Sequence, residues 1–238
     1  MSTLVVYSDT TDGYIYCFSG VADDGEGGGS NGTYAAARAG TGSPFGAAAA
    51  ATYATVGQAK VVVTFTEYQV FESFLAFNTS SIPDGDTVSA AVLNLTSYAD
   101  NSTTDFTLEA RLYDWGASLT TADWVTSLSS QTLLAHRDTA SGWTVNTAYD
   151  LTDDAFAANV SKTGSTRILL CSDHTTSNTA PTGLEHVTAY SADYTGTTRD
   201  PKLTVTYAAG GGALFLMLED NSGSYELEDG SGGTKLEN

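Results

Sequence analysis

Residues 72–98 read ESFLAFNTSSIPDGDTVSAAVLNLTSY, and the rhythm of this stretch decides the fold class. Just ahead of it and within it, Phe71, Leu75 and Phe77 fall on one side of an extended chain, with Glu72 and Asn78 on the other. Further on, Ala91, Leu93 and Leu95 alternate with Val92, Asn94 and Thr96. A period of two with one apolar face is the pattern of a half-buried antiparallel strand. Between the two runs, Pro83-Asp84-Gly85-Asp86 combines a fixed φ with a permissive one, as a turn requires. Two strands joined by a tight polar connection are therefore expected here.

Composition extends this reading to the whole chain. The 238 residues are 41% hydrophobic and 11% aromatic, enough for a real core and too apolar for wholesale disorder. Nine Lys and Arg against 28 Asp and Glu give a formal charge of −19 and a pI near 4.1. Such a surface has no cationic footprint for phosphates, so nucleic acid and anionic membranes are excluded as partners. No segment approaches membrane-spanning length, and Met-Ser-Thr-Leu-Val-Val-Tyr lacks the basic start and apolar run of a signal peptide. Synthesis and assembly in a host cytoplasm are the expectation from that opening. Cys17 and Cys171 are too few for a disulfide framework and sit in expected strands. They read as small buried hydrophobes, with a pairing between them left open.

Taken in order, residues 4–20 predict an opening pair of strands around Asp9-Thr10-Thr11-Asp12-Gly13. Asp9 and Asp12 offer oxygens of the kind calcium takes, although aspartates in a turn more commonly cap their own backbone. Calcium is the one cofactor the residues suggest. Residues 21–57 shift to Gly and Ala, an insertion loop that is either mobile or ordered against a neighbouring subunit, with a helical turn conceivable at Ala47–Ala51. Lys60–Glu67 is a strand by its β-branched run. In Asp105–Tyr113, Leu108, Ala110 and Leu112 face inward and Glu109 and Arg111 outward. Near residue 152, Thr152 is a suitable N-cap, Asp153 and Asp154 suit the helix dipole, and Phe156 and Val160 share a face, so one short helix is expected. Thr166–Ser172 is a buried strand.

Certain motifs carry a likeness to a known family. An aromatic strand end (Phe77), Ser-Ser-Ile-Pro, then Val88, Ala91, Leu93 and Leu95 resemble the DNRLRE-type, carbohydrate-binding-module-like β-sandwich of secreted, surface and phage virion proteins. The ending Arg199-Asp200-Pro201-Lys202-Leu203-Thr204-Val205-Thr206-Tyr207 is similar to that family's last strand, with Asp200 inserted between Arg and Pro. The family's Ser-Arg-Glu motif is not recognisable. The resemblance covers residues 1–207 and implies an all-β, jelly-roll-like antiparallel β-sandwich with one short helix. Trp115, Trp124 and Trp143 are the side chains such a domain would use to stack on sugar rings, with packing at the ends of the sandwich as the alternative.

Beyond Tyr207 the composition breaks. Residues 208–212 (AAGGG) form a flexible linker, and 213–238 form a repeat tail. Leu218-Glu219-Asp220, Leu227-Glu228-Asp229 and Leu236-Glu237-Asn238 recur every nine residues, with Ser-Gly turns in register. Leu214, Phe215, Leu216, Leu218, Tyr225, Leu227 and Leu236 sit on strands too short to hold a private core, which makes them the expected assembly interface. Such tails resemble those of many phage virion proteins.

No catalytic constellation is legible. His136, His174 and His186 lack zinc spacing, no Gly-x-Ser-x-Gly elbow exists, and Asp173-His174 and Glu185-His186 read as solvated loop residues. The sequence thus predicts a non-enzymatic virion surface protein of a bacteriophage, such as a capsid decoration, head fibre or tail component. Its expected partners are other virion proteins and copies of itself. The alternative is a carbohydrate-binding adhesin or receptor-binding module whose partners are surface glycans.

Overall fold

A computed structural model describes residues 1–21 and 29–210, together with the strand backbone of 216–220, 224–228 and 234–235. The architecture is all-β and antiparallel. The strands are β1 (Ser2–Tyr7), β2 (Gly13–Ser19), β3 (Phe45–Ala49), β4 (Tyr53–Val62), β5 (Thr66–Asn78), β6 (Thr87–Asp100), β7 (Thr107–Leu112) and β8 (Leu133–Asp138), followed by β9 (Ala148–Thr152), β10 (Ser165–Ser172), β11 (Leu184–Tyr190) and β12 (Lys202–Ala208). Helices are short: α1 (Tyr34–Arg38), α2 (Asp154–Ala158) and α3 (Asp173–Thr176).

These twelve strands form one hydrogen-bonded sheet: nine follow the path β1-β12-β6-β11-β4-β5-β10-β7-β8, β2 pairs with β5 and carries β3 on its other edge, and β9 pairs with β6. The sheet curls so that distant parts of the path face one core. Leu203 and Val205 of β12, Leu93 and Leu95 of β6, Leu75 and Phe77 of β5, and Ile168 and Leu170 of β10 all bury in it. Leu151 of β9, Phe156 of α2 and Trp143 from the connection before β9 join them.

The opening stretch supplies both halves of that core but not as a hairpin. β5 pairs with β2, β4 and β10, whereas β6 pairs with β12, β11 and β9. The Pro83–Asp86 turn is present, Asp86 N donating to Pro83 O at 3.0 Å. It carries the chain across the core rather than back along the same ladder. The opening strands part in the same way: β1 pairs with β12 and β2 with β5 and β3.

β5 is also buried on both faces, because Phe74 and Ala76 pack into a second cluster with Ile15, Trp115, Leu119 and Leu169. That cluster explains two departures from simple alternation. Glu109 and Arg111, expected to face out, are covered and paired, Arg111 Nε to Glu109 Oε2 at 2.9 Å. Arg111 Nη1 also donates to Gln131 O, which ties the strand to the connection that covers it.

The Gly/Ala-rich insertion is largely ordered. Thr33 caps α1 by accepting from Ala36 N, and Ala47–Ala49 lie in β3 against β2 rather than in a helical turn. Lys60–Glu67 is not one strand: it divides at 63–65 between β4 and β5. The helix near 152 is present as α2, capped by Asp153 one residue later than expected, with Phe156 fully buried. Both cysteines are buried free thiols. A separate three-stranded sheet, β13 (Leu216–Asp220), β14 (Ser224–Glu228) and β15 (Thr234–Lys235), pairs antiparallel in that order.

Candidate functional site

Alternation along β2 sends Ile15 and Cys17 into the interior and leaves Tyr14, Tyr16 and Phe18 half-buried on the opposite face. Cross-strand register then assembles an aromatic surface. Tyr16 lies opposite Phe71, and Tyr14 opposite Ser73. Ring centroids step from Phe18 to Tyr16 at 5.4 Å, Tyr16 to Tyr14 at 6.0 Å, Phe18 to Phe71 at 5.6 Å, and Phe71 to His186 at 5.5 Å. Gly57 sits beside Phe71 and His186 at φ +124°, and a Cβ there would lie 2.2 Å from Glu185 O. Only glycine lets β4 and β11 approach this closely. Burial holds the His186 imidazole below its usual range, against the opposing pull of Asp100, so the face carries no cation there near neutral pH.

At one end of this surface a cavity of about 340 Å³ is lined by Tyr14, Ala51, Thr52, Tyr53, Thr55, Tyr98 and Thr188. Tyr53 and Tyr98 stack at 3.9 Å between centroids and 24° between planes. Tyr98 is 38% exposed. Behind them Tyr190 meets Tyr98 edge-on at 5.3 Å, and the Arg199 guanidinium lies 4.8 Å from the Tyr190 ring centroid. The Tyr190 hydroxyl donates to Asn146 Oδ1 at 2.9 Å and accepts from Arg199 Nη1 at 3.0 Å. The visible rings are therefore backed by a held second layer. Burial, with Tyr16 beside it, raises the Tyr14 hydroxyl above the ordinary tyrosine range.

The tryptophans lie elsewhere. Trp115 is 5% exposed and edge-on to Phe74, and Trp143 is 2% exposed, stacked on Tyr149 with Nε1 donating to Thr188 O. Trp124 packs edge-on to Phe45 and donates Nε1 to Arg38 O at 3.0 Å. Trp115 and Trp143 have no free ring face for a sugar, because apolar rings of this size gain most by filling the core.

Asp9 and Asp12 have diverged in role. Asp9 Oδ1 accepts from Thr11 N at the surface, whereas Asp12 is fully buried with Oδ1 accepting from Ala76 N at 3.0 Å. Burial pushes the Asp12 carboxyl up to about 8, opposed by Ser8 and the Ala76 N–H and reinforced by Asp9 and Asp193. Asp12 Oδ2, Asp193 Oδ2 and Asp200 Oδ1 have no hydrogen-bond partner. Among the described residues no group of three or more His, Cys, Asp or Glu side chains is placed to hold a metal ion. Of the tail residues, Leu216 and Leu218 fall on β13 and Tyr225 and Leu227 on β14, while Leu214, Phe215 and Leu236 lie outside the described residues.

Glu185 and His174, expected in solvent, form a network instead. Glu185 is 2% exposed and accepts from Gln58 Nε2 at 2.8 Å and from Thr182 N at 3.1 Å, with His174 Nδ1 at 2.9 Å. Tyr34 of α1 donates to Gln58 Oε1 at 2.7 Å. This cluster fastens the insertion and α3 to β4 and β11. Its groups are mutually satisfied and not open to a substrate.

Sequence alone points to the tryptophans; the tyrosine cavity escapes it because Tyr14, Tyr53 and Tyr98 come from strands far apart in the chain. The one available signal is the excess of tyrosine, 13 residues against three tryptophans. No family model matches the chain and no curated protein matches it, so the family likeness rests on the motifs quoted above.

Proposed function

We propose that this chain is a non-enzymatic structural component of a phage virion that assembles through its C-terminal repeat. The observation that carries the reading is the separate sheet β13-β14-β15. Among the described residues its strands, of five, five and two residues, pair only with one another. Strands this short sit at the lower limit for independent stability, which favours docking on a partner surface. Strand addition to copies of the same chain or to another particle protein supplies one. The likeness of the β-domain and of the Leu-Glu-Asp repeat to virion proteins supports the setting. The net charge of −19 suits a surface that must stay soluble at high copy number.

The test compares the full chain with a version ending at Ala208. Light scattering reads oligomeric state, and sedimentation with particles depleted of the protein reads incorporation. Loss of both on truncation is expected. Unchanged oligomeric state together with unchanged incorporation overturns the proposal.

A further inference from the structure

We propose that the free edge of β1 pairs antiparallel with the same edge of a second copy, about a two-fold axis at Leu4, so that two β-domains share one sheet. β1 ends the strand path and, among the described residues, Ser2–Tyr7 pairs only with β12, in unbroken register. Ser8 N donates to Pro201 O at 2.9 Å, and amides alternate along an antiparallel ladder. Ser2, Leu4 and Val6 therefore aim their backbone groups at β12, and Thr3 and Val5 aim theirs at the open side. At the far end β5 already takes the edge, through the Ser8–Phe77 bridge and Asp9 N donating to Ala76 O. The open length is thus centred on Leu4, which places Thr3 of each copy opposite Val5 of the other. About four backbone hydrogen bonds close such a pair.

Charge and side chains commit this edge to a copy of itself. The chain carries −19, yet residues 1–8 hold no charged side chain, and Thr3 and Val5 lie beside the neutral Thr206 and Thr204 of β12. Two strongly acidic molecules can meet here without setting like charges face to face. The remaining edges are guarded differently: β8 carries His136, Arg137 and Asp138, β9 carries Asp150, and β3 is a Gly-Ala run with little side chain to pack. β1 has no charge, proline or bulge, and Val5 stands 49% exposed on its outer face. On the inner face Leu4 and Val6 pack against the core but are only partly buried. A second β1 covers both faces at once, and the two-fold makes each contact count twice. A strand of six residues buries less than a standard interface of roughly 1,200–2,000 Å², so the dissociation constant should be on the order of 100 µM. Pairing then takes hold where copies are crowded.

The experiment uses the full chain and reads the register directly. Thr3→Cys and Val5→Cys chains are mixed at about 100 µM, oxidised mildly with diamide and run on non-reducing gels. Opposed positions on paired strands lie about 5.5 Å apart at Cα, within reach of a disulfide, and the native Cys17 and Cys171 are buried. The mixture should cross-link at least about fivefold more than either chain alone, and more than Val145→Cys, an exposed control elsewhere. Sedimentation velocity from about 10 µM to 1 mM should show reversible association of the parent. Val5→Pro, which removes an N–H that the β1–β12 ladder does not use, should weaken it about tenfold or more, with Val5→Thr within a few-fold of the parent. Circular dichroism melts check each fold; should Val5→Pro unfold, Val5→Lys at the same exposed position replaces it. Cross-linking no greater in the mixture than in the controls overturns the proposal, as does association indifferent to the Val5 changes. Weakening by Val5→Pro without the Thr3–Val5 cross-link also overturns it, since another segment would then occupy the edge. The cross-link reports β1 alone, so its outcome is separate from that of the tail truncation above.

Discussion

Replacing Asp12 with Asn tests whether a buried carboxyl sets the pH dependence of this fold. In the native state the carboxyl is moved from 3.8 to about 8, chiefly by burial. Between those values the folded chain holds a proton that the unfolded chain has released, so stability falls as pH rises, from about pH 4 until about pH 8. Once ionised, such a group carries at most about 6 kcal/mol of penalty at 1.36 kcal/mol per pH unit. Relaxation and water entry at an effective dielectric near 20 reduce this to about 2–3 kcal/mol. Asn keeps the acceptor for Ala76 N–H and adds a donor where Oδ2 stands without a partner, facing the charges of Asp9 and Asp193. The variant should therefore melt about 4–10 °C higher than the parent at pH 9 and show a much smaller gain at pH 5. Differential scanning calorimetry at the two pH values measures this directly. Glu72, also raised to about 8 by burial, titrates in both proteins and cancels from the difference. An equal effect at pH 5 and pH 9, or a larger gain at pH 5, would refute the reasoning.

Other outcomes follow from the core and its polar fastenings. Phe77→Ala, at a fully buried site facing β6 and β12, should cost about 3–5 kcal/mol in urea denaturation with little change in m. Glu185→Ala strands the Gln58 amide, the Thr182 N–H and His174, and should cost about 2–4 kcal/mol; it should also expose the 29–57 segment to proteolysis first. Adding EDTA should lower the melting temperature by less than about 10 °C, because the acidic turns lack the alternating carboxylates of a dedicated calcium loop. A larger fall would establish a structural cation.

What could be read in the sequence was local. Ala91, Leu93 and Leu95 alternate because only one face of β6 meets the core, and they are buried as that pattern requires. Phe156 and the acidic pair Asp153-Asp154 marked α2, although the cap is Asp153 rather than the expected Thr152. The partner of each strand was another matter. Pro83–Asp86 specifies a turn but not which ladder the next strand joins, and the curl of the sheet separates β5 from β6. Glu72 and Glu109 looked solvent-facing because the sequence does not show that the 113–131 connection folds over them, with Val125 N donating to Glu72 Oε2. Gly57 hid the strand Tyr53–Val62, since a glycine within an expected strand reads as an interruption. The tyrosine cavity was invisible for the same reason as the pairing: its parts meet only in three dimensions.

The placement of β12 between β1 and β6 has a bearing on how the chain is made. Ser2 pairs with Tyr207 and Tyr7 with Lys202, so the first strand of the domain waits for its last. Until then β6 carries an open ladder edge with Leu93 and Leu95 beside it. A nascent chain in that state is a template for pairing with neighbouring nascent chains, and closing so distant a contact is slow. Lower temperature during synthesis should therefore raise the yield of folded protein, because it slows pairing between open edges of neighbouring chains.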